Sequence, residues 1–350
     1  MKINRYTALS LVCLGLSIPL SVLLLNRRMS SDKAPTVRVA TFNCALNREQ
    51  PGQLLAELRG GKSEQGRKIA EIVQRADVDV VLLCELDRDS AGEAAEVFAR
   101  EYLAVAQGGQ KPIEFGWVFS APVNTGEPSG MDLDRDGKTD GPGDAFGFGK
   151  YPGQYAMALL SRHPLDVERI RTFQQTKWSA MPDARRPKDW WTDAQWSQLR
   201  LSSKSHWDVP MHVLGTDIHL LCSHPTPPVF DGPDDHNGCR NHDEIRFWVD
   251  YITPSQAAWI VDDKGVKGGL PETAHFVVMG DQNCDPIDGD AQRDALQVLL
   301  AHPRVQDPRP KSEGAVEMAK RQWGANSVHQ GRSEEHTSEL QSQFRISYAV

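Results

Sequence analysis

Four apolar runs that each stop at a polar or ionisable residue constrain this chain more than any other feature. Val37–Cys44 (VRVATFNC) alternates as a strand does and carries Asn43 near its end. Val78–Leu83 (VDVVLL) is broken only by Asp79 and runs straight into Cys84 and Glu85. Asp217–Ser223 (DIHLLCS) stops at His224, and Ala274–Met279 stops at Gly280 and Asp281, with Asn283 two residues on. A run that is apolar for most of its length forms a strand buried on both faces. Strands set side by side bring such ends to one edge. There a hard cation can collect carboxylate and amide oxygens, and the apolar strands hold them rigidly.

Each group suits a different task. Glu85 is an anionic oxygen ligand fit for Mg²⁺ or Mn²⁺, and Asn43 can orient that carboxylate or reach the metal itself. Asp281 can orient or deprotonate a water, Asn283 can hold a phosphate oxygen, and His224 can stabilise charge on a transferring phosphoryl group. Taken singly, an Asn or Asp after a strand reads as an Asx turn or a helix cap. Glu85 resists that reading, because a carboxylate directly after VVLLC needs a partner once buried.

The rest of the chain supplies the scaffold. Spacing predicts helices over 64–74, 91–102, 192–199 and 290–300, and a helical stretch over 243–262 split by Pro254. Further strands are predicted over 155–160 and 212–214, and residues 121–153 form a loop rich in Gly, Asp and Pro. No internal repeat and no linker after residue 37 is visible, so one domain of about 300 residues follows. Numerous strands with fewer helices imply two packed sheets with outer helices. The net charge of -8 argues against tight, nonspecific nucleic-acid binding, which rests on a basic face, although a local patch can differ from the average.

Lys2 and Arg5 precede an apolar run from Tyr6 to Leu25, which Asn26, Arg27 and Arg28 close. Residues 1–28 therefore read as an export signal or a single N-terminal membrane anchor, followed by a linker over 29–36. The expected localisation is periplasmic, extracellular or membrane-anchored. The six cysteines form no CxxC pair, and buried free thiols are expected rather than a disulfide framework.

The ordered set TFN (41–43), LLCELD (82–87), ALLSRHPL (158–165), SHP (223–225) and GDQN (280–283) resembles the endonuclease/exonuclease/phosphatase superfamily, in an exported branch. The resemblance runs over roughly residues 37–300. It implies an α+β fold, the DNase I-like four-layered α/β/β/α sandwich of two mixed sheets. It also implies divalent-metal-dependent hydrolysis of a phosphoester, in a nucleic acid or a small phosphorylated molecule, by nuclease or phosphatase action. Carried over by position, Asn43 and Glu85 match the metal-site pair, His224 the phosphate-side histidine, and Asp281 and Asn283 the GDxN pair. The family's second, histidine-supporting acid has no assigned counterpart between residues 85 and 155.

Two polar segments, 201–210 and 224–248, supply a candidate substrate wall: Lys204, His206, Trp207, His236, Arg240, His242 and Arg246. Arg and Lys suit phosphate, and Trp207 could stack on a ring. Asp132, Asp134, Asp136 and Asp140 fall at positions 1, 3, 5 and 9 of an acidic calcium loop, with Gly137 at position 6. Position 12 is Gly143 rather than Glu, with Asp144 beside it, and a structural Ca²⁺ is expected there.

The resemblance also implies a closing strand with an Asp and a Ser-Asp-His segment late in the chain. After Gln330 the sequence reads GRSEEHTSELQSQFRISYAV instead. Residues 332–342, RSEEHTSELQS, resemble the in-frame translation of a common short-read sequencing adapter, and ISYAV resembles its continuation. An incomplete, C-terminally truncated domain over 37–331 and a non-native tail over 332–350 with no clear strand are therefore expected, as is little or no turnover by the chain as written. The alternative is a non-catalytic exported binding module on the same scaffold. No protein partner is expected.

Overall fold

Alternation along the strands sorts the side chains between layers in this computed structural model. It describes residues 36–287 and 289–307, together with Glu317, Lys320 and the backbone of Phe344–Tyr348. The signal or anchor expected over 1–28 lies outside the described residues. No helix among them is long and apolar enough to cross a membrane. From Thr36 onward the chain forms one compact unit.

The first sheet contains β1 (Arg38–Leu46), β2 (Val80–Leu86), β3 (Trp117–Phe119), β4 (Met157–Ser161) and β9 (Phe344–Tyr348), in the order β3-β4-β2-β1-β9. β1 and β2 pair in parallel, whereas β2–β4, β3–β4 and β1–β9 are antiparallel. The second sheet contains β5 (Arg171–Thr172), β6 (His206–Val213), β7 (Thr216–Ser223) and β8 (His275–Met279), in chain order. Its β7 and β8 are parallel and its other pairs antiparallel. Both sheets are mixed, as expected.

Three separate cores make four layers. Val39, Val80, Leu82 and Cys84 of the first sheet meet Trp207, Val209, Leu220 and Cys222 of the second. The opposite face of the first sheet, with Ala40, Phe42, Val81 and Leu83, packs on helices α1 (Gln53–Leu58), α2 (Glu64–Ala76) and α3 (Glu93–Phe98). Leu221 on the outer face of the second sheet packs with α5 (His236–Ile252) and α6 (Asp294–Ala301). The short α4 (Asp193–Gln198) contributes Trp196 to the edge of that third core. Each fully buried Leu or Val contributes about 1.5–3 kcal/mol to folding.

Several elements differ from expectation. β6 begins at His206, not at residue 212, because 206–213 pairs along its whole length with β7. α5 starts seven residues before the expected position and stops at Ile252, ahead of Pro254, which lacks the N–H that would continue it. The tail contains a strand where none was expected. FRISY alternates β-prone residues, and the outer edge of β1 offers unpaired backbone groups that template an antiparallel partner. The five described cysteines are free, and Cys44, Cys84, Cys222 and Cys284 are buried.

Candidate active site

Parallel pairing places the C-terminal ends of β1 and β2 at one edge of the first sheet, and those of β7 and β8 at one edge of the second. The two edges meet. The Gly280 N–H donates to Thr41 Oγ1 across the sheets at 3.0 Å. This contact requires glycine at 280, where φ is +144° and a Cβ would lie 1.7 Å from the Ser223 carbonyl oxygen.

Asn43 is the hinge of the site. Its Nδ2 donates to Glu85 Oε1 at 2.9 Å and to Asp281 Oδ2 at 3.1 Å, so one buried amide draws together carboxylates from both sheets. Asp281 Oδ2 also lies 4.0 Å from His224 Nε2. Burial raises the Glu85 pKa above the usual carboxylate range; the Asn43 hydrogen bond and the Lys204 charge oppose that rise, and Asp281 adds to it. Burial and then Lys204 push His224 well below the ordinary imidazole value, which keeps the ring neutral. Its buried Nδ1 has no hydrogen-bond partner among the described residues. No described carboxylate hydrogen-bonds that nitrogen.

Of the expected substrate wall, the structure brings Lys204 to this site. Lys204 is buried, its pKa lowered by desolvation, while Glu244, Glu85 and Asp281 pull the other way. Asn283 Nδ2 donates to the Pro225 carbonyl at 3.0 Å and its N–H to Asp281 Oδ1 at 3.1 Å. One of its two amide hydrogens thus fixes the SHP loop.

The other wall residues lie elsewhere. Trp207 is fully buried between the sheets, edge-on to Phe119 with ring centroids 5.0 Å apart. It faces inward because its alternation phase matches Val209 and Met211. His206 points the opposite way and packs on Phe247 and Trp248, with Nε2 donating to the Glu244 carbonyl at 2.8 Å. Burial lowers its pKa to about 3. Arg240 spends its guanidinium on the carbonyls of Leu201, Phe146, Arg200 and Ser202, which leaves no fork for a phosphate. His236 stacks on Trp190 at 4.8 Å and pairs with Asp234. His242 and Arg246 line a separate cavity of about 740 Å³ on the outer face of α5 and α6, where Asp243, Asp294 and Asp250 pair with them. Helical phase turns these two away from the sheet edge.

Sequence reasoning missed two residues of α5. Glu244 is almost wholly buried; its Oε1 accepts from the Ser203 N–H and hydroxyl, and its Oε2 from the Thr226 N–H. It thus ties the segment before Lys204 to the loop after His224. Asn241 Nδ2 donates to the Thr226 and Gln282 carbonyls at 2.8 and 2.9 Å. The signal was present: Asn241, Glu244, Ile245 and Trp248 follow helical spacing, and two polar residues interrupt an otherwise apolar stripe.

The acidic loop gathers in part. Ligand oxygens of Asp132, Asp134 and Asp136 lie within 4.8 Å of one another. Asp144 is instead buried and accepts from the Leu133 and Gly141 N–H groups at 2.8 and 2.9 Å, and Asp140 is exposed outside the cluster.

No curated protein matches the chain. Among solved structures it is similar to sphingomyelinase C from Streptomyces griseocarneus, at 16% identity over 76% of this chain and 69% of that one, with a TM-score of 0.40. It is similar to an endonuclease/exonuclease/phosphatase from Beutenbergia cavernae, at 17% identity over 89% of this chain and 64% of that one, TM-score 0.47. A third is a mutant beta toxin from Staphylococcus aureus with bound magnesium ions, at 12% identity over 89% and 84%, TM-score 0.46. The model of the Endonuclease/Exonuclease/phosphatase family matches residues 40–333, and the chain belongs to that family.

Proposed function

We propose that the natural protein hydrolyses a phosphoester with the help of Mg²⁺ or Mn²⁺ held by Glu85 and the Asn43 carbonyl, and that the chain as written has little or no turnover. The observation that carries the reading is the Asn43 amide shared by Glu85 and Asp281. Around it three carboxylates, Glu85, Asp281 and Glu244, act on a single ammonium group, that of Lys204. The donor set is all oxygen and short of positive charge, which fits a hard divalent cation. Such a cation would polarise a phosphoryl oxygen.

The remaining chemistry belongs to the chain. Asp281 positions and deprotonates the attacking water. Neutral His224 donates an N–H to a phosphoryl oxygen on which negative charge develops, and Lys204 supplies a fixed positive charge beside it. The second amide hydrogen of Asn283 is free for a phosphate oxygen. On the same reading the chain is exported, residues 1–28 act as signal or anchor, and Asp132, Asp134 and Asp136 hold a structural Ca²⁺.

Calorimetric titration with Mn²⁺ tests the metal site. Glu85→Gln is expected to weaken binding by about tenfold or more, or about 1.4 kcal/mol; an unchanged affinity sinks the assignment. With the 3′ end of the gene reread from genomic DNA, the encoded protein is expected to cleave bis(4-nitrophenyl) phosphate only with a divalent cation. No turnover with any cation defeats the hydrolase reading, and plasmid DNA set against inositol phosphates separates nuclease from phosphatase.

A further inference from the structure

Asp87 closes the LLCELD motif, and the chemistry assigned to Asn43 and Glu85 leaves it unused. It lies two residues past Glu85 and is 5% exposed. Both of its oxygens are engaged. Oδ2 accepts from the Arg48 N–H and from the Tyr151 hydroxyl, each at 2.6 Å, and Oδ1 accepts from the Tyr155 N–H at 2.9 Å. A buried carboxylate that takes three donors from the chain is a fastening point rather than an open ligand.

It fastens the strained part of the site. Ala45, Glu85 and Tyr155 have φ of +47°, +59° and +56°, in the left-handed region that residues with a Cβ avoid. They belong to three segments: β1, β2 and the approach to β4. Asp87 joins all three. Its N–H donates to the Leu46 carbonyl beside Ala45 at 3.2 Å, its backbone continues from Glu85, and its Oδ1 takes the Tyr155 N–H. Backbone bonds complete the junction, from the Leu86 N–H to the Ala156 carbonyl at 3.1 Å and from the Arg88 N–H to the Gly153 carbonyl at 2.8 Å. Strained conformations persist only where the surrounding structure over-determines them, and this junction does so.

Both expected metal ligands depend on these turns. The left-handed turn at Ala45 brings its N–H to Asn43 Oδ1 at 3.3 Å, which fixes the amide with Nδ2 toward Glu85 and Asp281. The second lone pair of that oxygen is left for a cation. The turn at Glu85 sets its carboxylate on the Asn43 side. We propose that Asp87 is a positioning residue, which touches neither metal nor substrate but pins the three turns and so holds Asn43 and Glu85 in register for a divalent cation. The inference rests on the metal-dependent reading and adds to it the group that preorganises the ligand pair.

Calorimetric titration of the full chain with Mn²⁺ tests this, together with the electron paramagnetic resonance spectrum of the bound ion, whose line shape reports the symmetry of its ligands. Thermal unfolding establishes that each variant is folded at the titration temperature. Asp87→Asn removes the charge and sets an amide among the donors. Asp87→Glu keeps the charge but carries the carboxylate one carbon out of register with them. Tyr151→Phe removes one hydrogen bond and leaves Asp87 itself intact. Both Asp87 variants are expected to weaken Mn²⁺ binding by about tenfold and to alter the spectrum. Tyr151→Phe is expected to weaken it by about threefold. Weakening in Asp87→Asn with Asp87→Glu unchanged would show that charge rather than placement matters, and overturns the proposal. Unchanged affinity and spectrum in all three variants overturns it too, and leaves the metal reading standing where Glu85→Gln still loses binding. If the Asp87 variants do not fold, Tyr151→Phe decides by the same two readouts. No Mn²⁺ binding by the unaltered chain defeats the metal reading, and this inference with it.

Discussion

Replacing His206 separates a core residue from a substrate contact. The ring is 1% exposed, and its Nε2 faces a carbonyl oxygen, which can only accept, so the neutral tautomer carries its proton there. Burial lowers the pKa from 6.5 to about 3. An unfolded chain takes up the proton as pH falls through 6.5, whereas the folded protein refuses it until about 3. The neutral ring's contribution is therefore complete above pH 6.5 and is lost as pH falls from there toward 3. At 1.36 kcal/mol per unit, about 2 kcal/mol is gone by pH 5. Urea unfolding of the natural protein and of His206→Gln at pH 8 and pH 5 isolates this effect, since the other titrating groups are common to both. Gln keeps a donor for the Glu244 carbonyl but does not titrate. The natural protein is expected to lose about 2 kcal/mol more than the variant over that interval. PH dependences that agree within about 0.5 kcal/mol would refute the buried assignment and return His206 to the substrate wall.

Three more perturbations probe the supports of the site. Gly280→Ala puts a methyl group 1.7 Å from the Ser223 carbonyl and is expected to cost about 3 kcal/mol in urea unfolding; a cost below about 1 would show that the two sheet edges are not held at that contact. Glu244→Gln sets an amide donor against N–H groups that now meet carboxylate oxygens, and about 2–4 kcal/mol of stability should go with it, as chemical denaturation would show. Calcium should raise the melting midpoint through Asp132, Asp134 and Asp136, by up to about 2.7 kcal/mol of stability at one hundred times its dissociation constant. That gain should vanish in Asp134→Asn, and no response to millimolar Ca²⁺ in the natural protein would dismiss the loop.

Much of the architecture was legible because it follows from alternation. The phases of β1 and β2 assign Val39, Val80 and Leu82 to one face and Ala40, Phe42, Val81 and Leu83 to the other, and these are the residues that separate the two cores. The polar ends of those strands were legible for the same reason, since an apolar run announces where it stops. Segment 201–210 was harder. LSSKSHWDVP reads as a polar loop, yet from His206 onward it is a strand whose Trp207 faces one core and His206 the other, a distinction set by tertiary pairing with β7. Arg240 misled for another reason, because its composition suits phosphate but its hydrogen bonds go to carbonyls that no spacing rule brings together.

The most consequential residue is also where simple alternation fails. Val81 and Leu83 face the helices, and strict alternation would send Glu85 there too, away from Asn43. It does not go there. Glu85 has φ of +59° and Ala45, near it on β1, has φ of +47°. The register between β1 and β2 shifts there, with two residues on β1 spanning one on β2. This bulge turns the Glu85 carboxylate onto the Asn43 side while Leu86 takes the place in the helix-facing core that alternation would deny it. A left-handed backbone at a residue with a Cβ costs about 1–2 kcal/mol. That strain is sustained because Val80–Cys84 on one side and Leu86 on the other are almost fully buried and fix the strand at both ends of the bulge. The apolar run in the sequence therefore does more than mark where the strand ends. It supplies the rigidity that lets the next residue break the pattern and face the opposing sheet.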